Sequence, residues 1–178
     1  MNKILVTYAT RAGSTYEVAM RVAKVLRDSG TIVDVKPIPA VHEVKGYDAI
    51  VVGSAIRMGN WLPEAVAFVK TNRESLSHIP TAYFLVSGFL RDDTPEMRRK
   101  ALAFLDPVRK IHEPTSIGLF AGKMDYSKMD SFDRSNADAV SSSEGDWRNW
   151  EAIVEWANNL QASLVTESHT RPRHSVYV

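Results

Sequence analysis

Apolar positions along this chain alternate between strand-like and helix-like periods. Lys3–Tyr8 (KILVTY) is a short apolar run, and Ser14–Ser29 then carries Val18, Val22, Val25 and Leu26 at helical spacing, with Gly30 as a stop. Thr31–Ile38 (TIVDVKPI) alternates and ends at prolines. Asp48–Ile56 (DAIVVGSAI) is unbroken and β-rich, as a strand buried on both faces should be. Pro63 opens a helix that runs to Leu76, with proline in the first turn. Thr81–Gly88 (TAYFLVSG) predicts a fourth strand, Thr94 and Pro95 cap and start a helix to Leu105, and Ser116–Gly122 (SIGLFAG) predicts a fifth strand. Asp146–Leu164 predicts the last helix, with Trp147, Trp150, Val154, Ala157 and Leu160 on one face.

Five strands alternating with helices imply an α/β protein, a parallel sheet covered on both sides. Right-handed crossovers restrict its topology to a few choices. The length of 178 residues fits one domain, and no internal repeat is evident. Two stretches read as loops. One is Lys123–Gly145, rich in Ser and Asp; the other is the tail after residue 165, expected to be flexible. The expected division is therefore a domain over 1–165 and a tail over 166–178.

Composition narrows the chemistry. The chain has no cysteine, which removes disulfides, thiolate metal sites and cysteine nucleophiles and fits a reducing cytoplasm. A formal net charge of +1 gives no electrostatic case for nucleic acid. The first apolar run has no basic leader before it, and no apolar stretch is long enough for a membrane span, so a cytoplasmic protein is expected. His42, His78, His112, His169 and His174 are scattered without metal-ligand spacing, and no metal is expected. There is no Gly-x-Ser-x-Gly elbow to anchor a hydrolase triad, and no side chain presents itself as a catalytic acid or base.

The stretch after the first strand is the most informative. Thr7–Val18 reads TYATRAGSTYEV, with small residues Ala9, Ala12 and Gly13 and hydroxyls Thr10, Ser14 and Thr15 just where a helix begins. In a parallel sheet, ligands sit beyond the carboxyl ends of the strands. Backbone N–H groups at a helix N-terminus attract an anion, small residues let it approach, and hydroxyls supply further donors. The loop has neither the Gly-Lys-Ser/Thr of a nucleoside-triphosphate loop nor the Gly-x-Gly-x-x-Gly of a dinucleotide fold. It suits a phosphate monoester held mainly by neutral donors.

Tyr8–Thr15 (YATRAGST) resembles the flavodoxin fingerprint that binds the phosphate of FMN, with Thr7 departing from the usual apolar residue. The stretch YDAIVVGSAIRMGNWLPEAVAFV resembles the second flavin loop of the flavodoxin-like subgroup that includes the menaquinone-dependent protoporphyrinogen dehydrogenases. LFAGKMDY and GDWRNWEAIVEWA resemble that subgroup's closing strand and last helix, so the resemblance covers about residues 2–165. It implies a flavodoxin-like three-layer sandwich with strand order 2-1-3-4-5 and an FMN cofactor. The implied site comprises Thr10, Arg11, Ala12, Gly13, Ser14 and Thr15 at the phosphate, with Ser54, Ala55, Ile56, Arg57 and Trp61 on one side of the flavin. Ser87, Gly88, Phe89, Leu90 and Arg91 lie on the other side, and Gly122 and Lys123 end the fifth strand and close over the flavin. Trp61 is the candidate stacking ring.

Two departures shape the functional expectation. Electron-carrier flavodoxins are typically strongly acidic, whereas this chain is nearly balanced and places Arg11, Arg57 and Arg91 in three separate flavin-facing loops. Arginines at the ring would favour its reduced, anionic form. The protoporphyrinogen dehydrogenases carry a long apolar and basic loop before the last helix, whereas this chain has the polar YSKMDSFDRSNADAVSSSEG. The FMN site is therefore carried over and the porphyrin or quinone site is not. The expectation is an FMN-dependent electron-transfer flavoprotein whose partner is a redox protein or a small-molecule electron donor or acceptor. The alternatives are a protoporphyrinogen IX dehydrogenase feeding a quinone, or a flavin-free binding module on the same fold.

Overall fold

The computed structural model describes residues 2–128, 131, 134–135 and 143–170. Strands β1 (Lys3–Ala9), β2 (Ile32–Pro37), β3 (Ala49–Arg57), β5 (Thr81–Ser87) and β6 (Ser116–Ala121) form a parallel sheet in the order β2-β1-β3-β5-β6. A two-residue strand, β4 (Asn60–Trp61), folds back antiparallel on Ile56 and Arg57 and is the reason for the skipped number. The order is the expected 2-1-3-4-5 of five main strands.

Alternation along each strand separates two cores. Ile4 and Val6 of β1 face α1 (Ser14–Asp28) and the last helix, α6 (Trp150–Thr170), together with Val51, Phe84 and Phe120. Leu5, Ile50, Val52 and Leu85 face the opposite side, against Leu62, Phe68 and Val69 around α2 (Pro63–Thr71) and Ala101 of α4 (Pro95–Ala103). Every residue of the interior strand β5 is buried, so the continuous apolar run TAYFLVS is what its position requires. Gly53 pairs with Phe84 across β3 and β5, and a Cβ there would lie 2.0 Å from the ring. The glycine is needed to seat that phenylalanine; a methyl group would displace the ring at a cost of about 1–3 kcal/mol.

Several boundaries differ from the sequence expectation. The helix expected over 63–76 is two pieces, α2 and α3 (Arg73–Leu76), with Asn72 between them. The helix expected to end at Leu105 stops at Ala103 and is followed by α5 (Asp106–Arg109). The last helix starts at Trp150, not Asp146, because Asn149 is its cap: the Asn149 Oδ1 accepts from the Ala152 N–H at 3.0 Å. Asp146 instead accepts from the Arg148 N–H at 3.2 Å in a tight turn. Ile153, Ala157, Leu160 and Leu164 form its buried face, with Val154 only half-buried. The helix continues to Thr170, past the expected boundary at 165.

The stretch expected to be a loop from Lys123 to Gly145 begins and ends in structure. Strand β7 (Lys123–Met124) pairs antiparallel with β8 (Gly145–Asp146) in a separate two-stranded ribbon, so the two ends of the stretch are tied to each other. Parts of the segment between them, and the tail over 171–178, lie outside the described residues.

Candidate functional site

Beyond the carboxyl ends of β1, β3, β5 and β6 lies a cavity of about 590 Å³, within the size range of cofactor sites. It sits over the β1/β3 junction, where strand order reverses and ligands of such sheets collect.

The β1–α1 loop forms one end. Gly13 has φ 90°, a left-handed conformation that glycine adopts without steric cost, and its N–H donates to the Thr10 hydroxyl at 3.1 Å. The chain can therefore turn sharply from β1 into α1. No side chain caps α1, so the N–H groups of its first turn face the cavity end of the loop. Thr15 is wholly buried there, and its hydroxyl has no protein partner. A buried hydroxyl at the foot of a 15-residue helix is suited to an oxyanion acceptor. Thr10, Arg11, Ala12 and Ser14 line the cavity directly; Gly13 and Thr15 shape the loop behind them.

The β3 side is a hairpin. Met58 (φ 51°) and Gly59 (φ 72°) are both left-handed, the backbone of a tight two-residue turn. Ser54 is buried and holds the hairpin closed: its hydroxyl accepts from the Leu62 N–H at 3.0 Å and donates to the Ala55 carbonyl at 2.8 Å. Ala55, Ile56, Arg57, Met58 and Leu62 line the cavity. Trp61, expected as a stacking ring, does not. It is 3% exposed and packs on Tyr83 with ring centroids 5.1 Å apart, a core position below the site.

After β5, Ser87, Gly88, Phe89 and Arg91 line the opposite side, with the Ser87 hydroxyl accepting from the Phe89 N–H at 3.1 Å. Leu90 points into the core. Phe89 is 39% exposed and rests edge-on against Phe104. At β6, Gly122 brings backbone close: a Cβ there would lie 3.2 Å from Val86 and 3.6 Å from the Ser14 hydroxyl.

The cavity also takes in residues that sequence reasoning missed: Leu62, Val86, Asp92, Met97, Met124, Ser143 and Trp147. Leu62 and Val86 flank predicted positions in the same loops. Met124, Ser143 and Trp147 arrive through the β7–β8 pairing, which no local pattern announced, whereas Lys123 falls where the end of the fifth strand was expected to close over the flavin.

Charge at the site is asymmetric. Among the described residues, Arg11, Arg57, Arg91 and Lys123 line it, against Asp92 alone. Arg11 makes a two-pronged pair with Glu64 at 2.5 and 3.1 Å, and that guanidinium holds the Glu64 carboxyl below its ordinary pKa. Arg91 lies 3.3 Å from Asp92, and Lys123 lies 3.4 Å from Asp125. Arg57 is half-buried on the cavity wall. Among the described residues there is no cluster of three or more His, Cys, Asp or Glu able to hold a metal, and no helix long and apolar enough to cross a membrane.

A parallel sheet with this strand order, carrying a hydroxyl-lined loop and an apolar cavity at its switch point, defines a flavodoxin-like α/β protein. The flavodoxin-domain family model matches residues 5–149, most of the chain, and the protein belongs to that family. Its sequence is 26% identical over 172 residues to the protoporphyrinogen IX dehydrogenase [quinone] of Escherichia coli (strain K12), covering 89% of this chain and 94% of that one. Its fold is similar to a short-chain flavodoxin associated with a non-canonical PDU bacterial microcompartment (TM-score 0.59, 17% identity, 92% of this chain and 99% of that one). It is also similar to the Fusobacterium nucleatum flavodoxin bound to flavin mononucleotide (TM-score 0.50, 13% identity, 92% and 99%).

Proposed function

We propose that the protein is an FMN-dependent electron-transfer flavoprotein. The observation that carries this reading is the hydroxyl-bearing β1–α1 loop, with Thr10 and Ser14 on the cavity wall and the buried Thr15 hydroxyl, without a protein partner, behind them at an uncapped helix N-terminus. A phosphate monoester dianion supplies the missing acceptor. The residues present fit the cofactor: Thr10, Ser14, Thr15 and the first-turn amides for the phosphate, and Ala55–Met58 with Ser87–Phe89 as walls for the ring. Bound FMN supplies one- and two-electron redox chemistry at its ring. The chain itself binds, orients and tunes. Its apolar walls exclude water, and its excess of cations over carboxylates lowers the energy of added negative charge.

Similarity to the protoporphyrinogen IX dehydrogenase of E. coli along nearly the whole of both chains favours a second reading, oxidation of a protoporphyrinogen-like donor with a quinone as acceptor. The polar segment before α6 separates the two readings, because it offers little apolar surface to a porphyrin or a membrane.

The test is direct. Cofactor released by acid from the purified protein, or bound after reconstitution, should be FMN in equimolar amount by mass spectrometry. Stoichiometric FAD, or no flavin after reconstitution, overturns the reading. Porphyrin formation from protoporphyrinogen with a quinone acceptor would select the second reading over the first.

A further inference from the structure

We propose that Trp147 is a cofactor-contacting ring of this cavity, held in place by Gly145 behind it and by Arg148 as its positioning residue. The inference rests on the FMN reading above and names a binding residue that neither the fingerprint nor the second loop contains.

The backbone brings Trp147 to the site. Its N–H donates to the Gly122 carbonyl at 3.2 Å, which ties it to the end of β6 beside the Ser14 hydroxyl. Trp147 lines the cavity and is half-buried, whereas Trp61 is buried in the core. Two features hold it. The first is Gly145: a Cβ at that position would lie 2.5 Å from the Trp147 ring, so the ring occupies the volume a side chain would take. The second is the next residue. The Arg148 side chain is 5% exposed and turned toward the helices. It bonds both oxygens of Asp146 at 2.7 and 2.5 Å, pairs with Glu17, and lies over the Trp150 ring at 4.5 Å from its centroid. Arg21 approaches the same ring at 5.1 Å.

With Arg148 locked toward α1 and α6, the adjacent Trp147 is turned toward the cavity. The lock also reaches the phosphate loop, since Glu17 belongs to the first turn of α1 with Ser14 and Thr15. A guanidinium held by two carboxylates that are themselves 37% and 42% exposed adds little stability. Setting the geometry of a neighbouring contact accounts for it better.

The experiment is an FMN titration of the full-length apoprotein, read by flavin and tryptophan fluorescence, with folding checked by circular dichroism. Trp147→Ala should weaken FMN binding about tenfold, and Trp147→Phe should restore most of it, in the range expected for losing one aromatic contact. Trp147→Phe should also remove the largest single part of the FMN-induced tryptophan quench. Gly145→Ala should weaken binding several-fold although Trp147 is present, and should add nothing on top of Trp147→Ala. Arg148→Met should behave likewise: a loss alone, none added to Trp147→Ala. Wild-type-like affinity in Trp147→Ala, or additive losses in both double variants, overturns the inference while leaving the FMN reading intact. Failure of the wild-type protein to bind FMN overturns both.

Discussion

The two ends of the cavity are built in opposite ways. At the phosphate end, six consecutive residues, Thr10 to Thr15, are preset by the strand before them and the helix after them. At the other end, Gly122, Lys123, Met124, Ser143 and Trp147 come from segments far apart in sequence, joined by a ribbon of two residues a side and an arginine with two carboxylates. The first end offers backbone amides and hydroxyls that ordering α1 has already positioned. The second offers side chains whose placement depends on long-range pairing. Affinity for a charged group should therefore concentrate at the first, and fit around the ring at the second.

The largest expected effect breaks the phosphate end. Replacing Thr10 and Thr15 together with Ala removes two donors to a charged acceptor, worth roughly 1.5–3 kcal/mol each. It also removes the Thr10 oxygen that accepts from the Gly13 N–H at 3.1 Å. FMN affinity should fall by at least tenfold in a fluorescence-quench titration. Shortening the polar segment between Ser131 and Ser143, with β7 and β8 kept, should change affinity little in the same assay. The reverse ranking would show that the distal end, not the hydroxyl loop, carries the binding.

The next effect tests how the distal end is held. The Arg148 guanidinium holds the Asp146 carboxyl below its ordinary pKa, chiefly through their hydrogen bonds. A carboxyl depressed in the folded state adds stability that is present above its unfolded pKa and lost as pH falls through the folded value. The unfolded reference is near 3.9, so this contribution should fade below about pH 4. Arg148→Met should lower the melting temperature at pH 7 by no more than a few degrees and flatten the decline between pH 4 and pH 3. An unchanged acid limb in thermal melts would mean that Asp146 gains nothing from the pair.

This contrast also explains what could be read in the sequence. The five strands and the β1–α1 loop were legible because each depends on neighbouring residues, whereas the strand order came from the resemblance to flavodoxins. Gly13 marks the turn, the hydroxyls mark the anion site, and unbroken runs such as TAYFLVS mark buried strands. The hairpin at Met58–Gly59 left only a faint signal, since methionine in a left-handed conformation is unusual. The choice between tryptophans was not legible. Trp61 sits in a flavin loop by sequence yet is drawn into the core, because β4 folds back on β3 and seats it against Tyr83. Trp147 matched the helical spacing of Trp150 and Ala157, which hid it in a supposed helix face. The available clue was Asn149, a better helix cap than Asp146 in this context, which leaves Trp147 outside the helix and free to face the cavity.

The smallest effect separates the arginines on the cavity wall and decides what the distal and central loops do to the cofactor's electronics. An oxidised flavin ring is neutral, and the fully reduced ring at neutral pH is largely an anion, so a nearby fixed cation favours reduction. Arginine stays protonated throughout the accessible range. A unit charge at about 5 Å contributes roughly 3 kcal/mol at an effective dielectric near 20, and solvent screening cuts that to about 1. For a one-electron step this is on the order of 40 mV. Arg11 is exposed with both oxygens of Glu64 on it and Arg91 is exposed beside Asp92, whereas Arg57 is half-buried on the wall formed by β3, where solvent screens its charge less. Arg57→Ala should therefore lower the midpoint potential for forming the reduced anion by tens of millivolts, and Arg57→Glu by more. Arg11→Ala should shift it less, because the Glu64 carboxylate already offsets that guanidinium. Spectroelectrochemical titration of the variants measures the ranking. Equal shifts for Arg57→Ala and Arg11→Ala would mean that Glu64 does not screen its partner. No shift for either Arg57 variant would mean that the potential is set by the apolar walls and not by this cation.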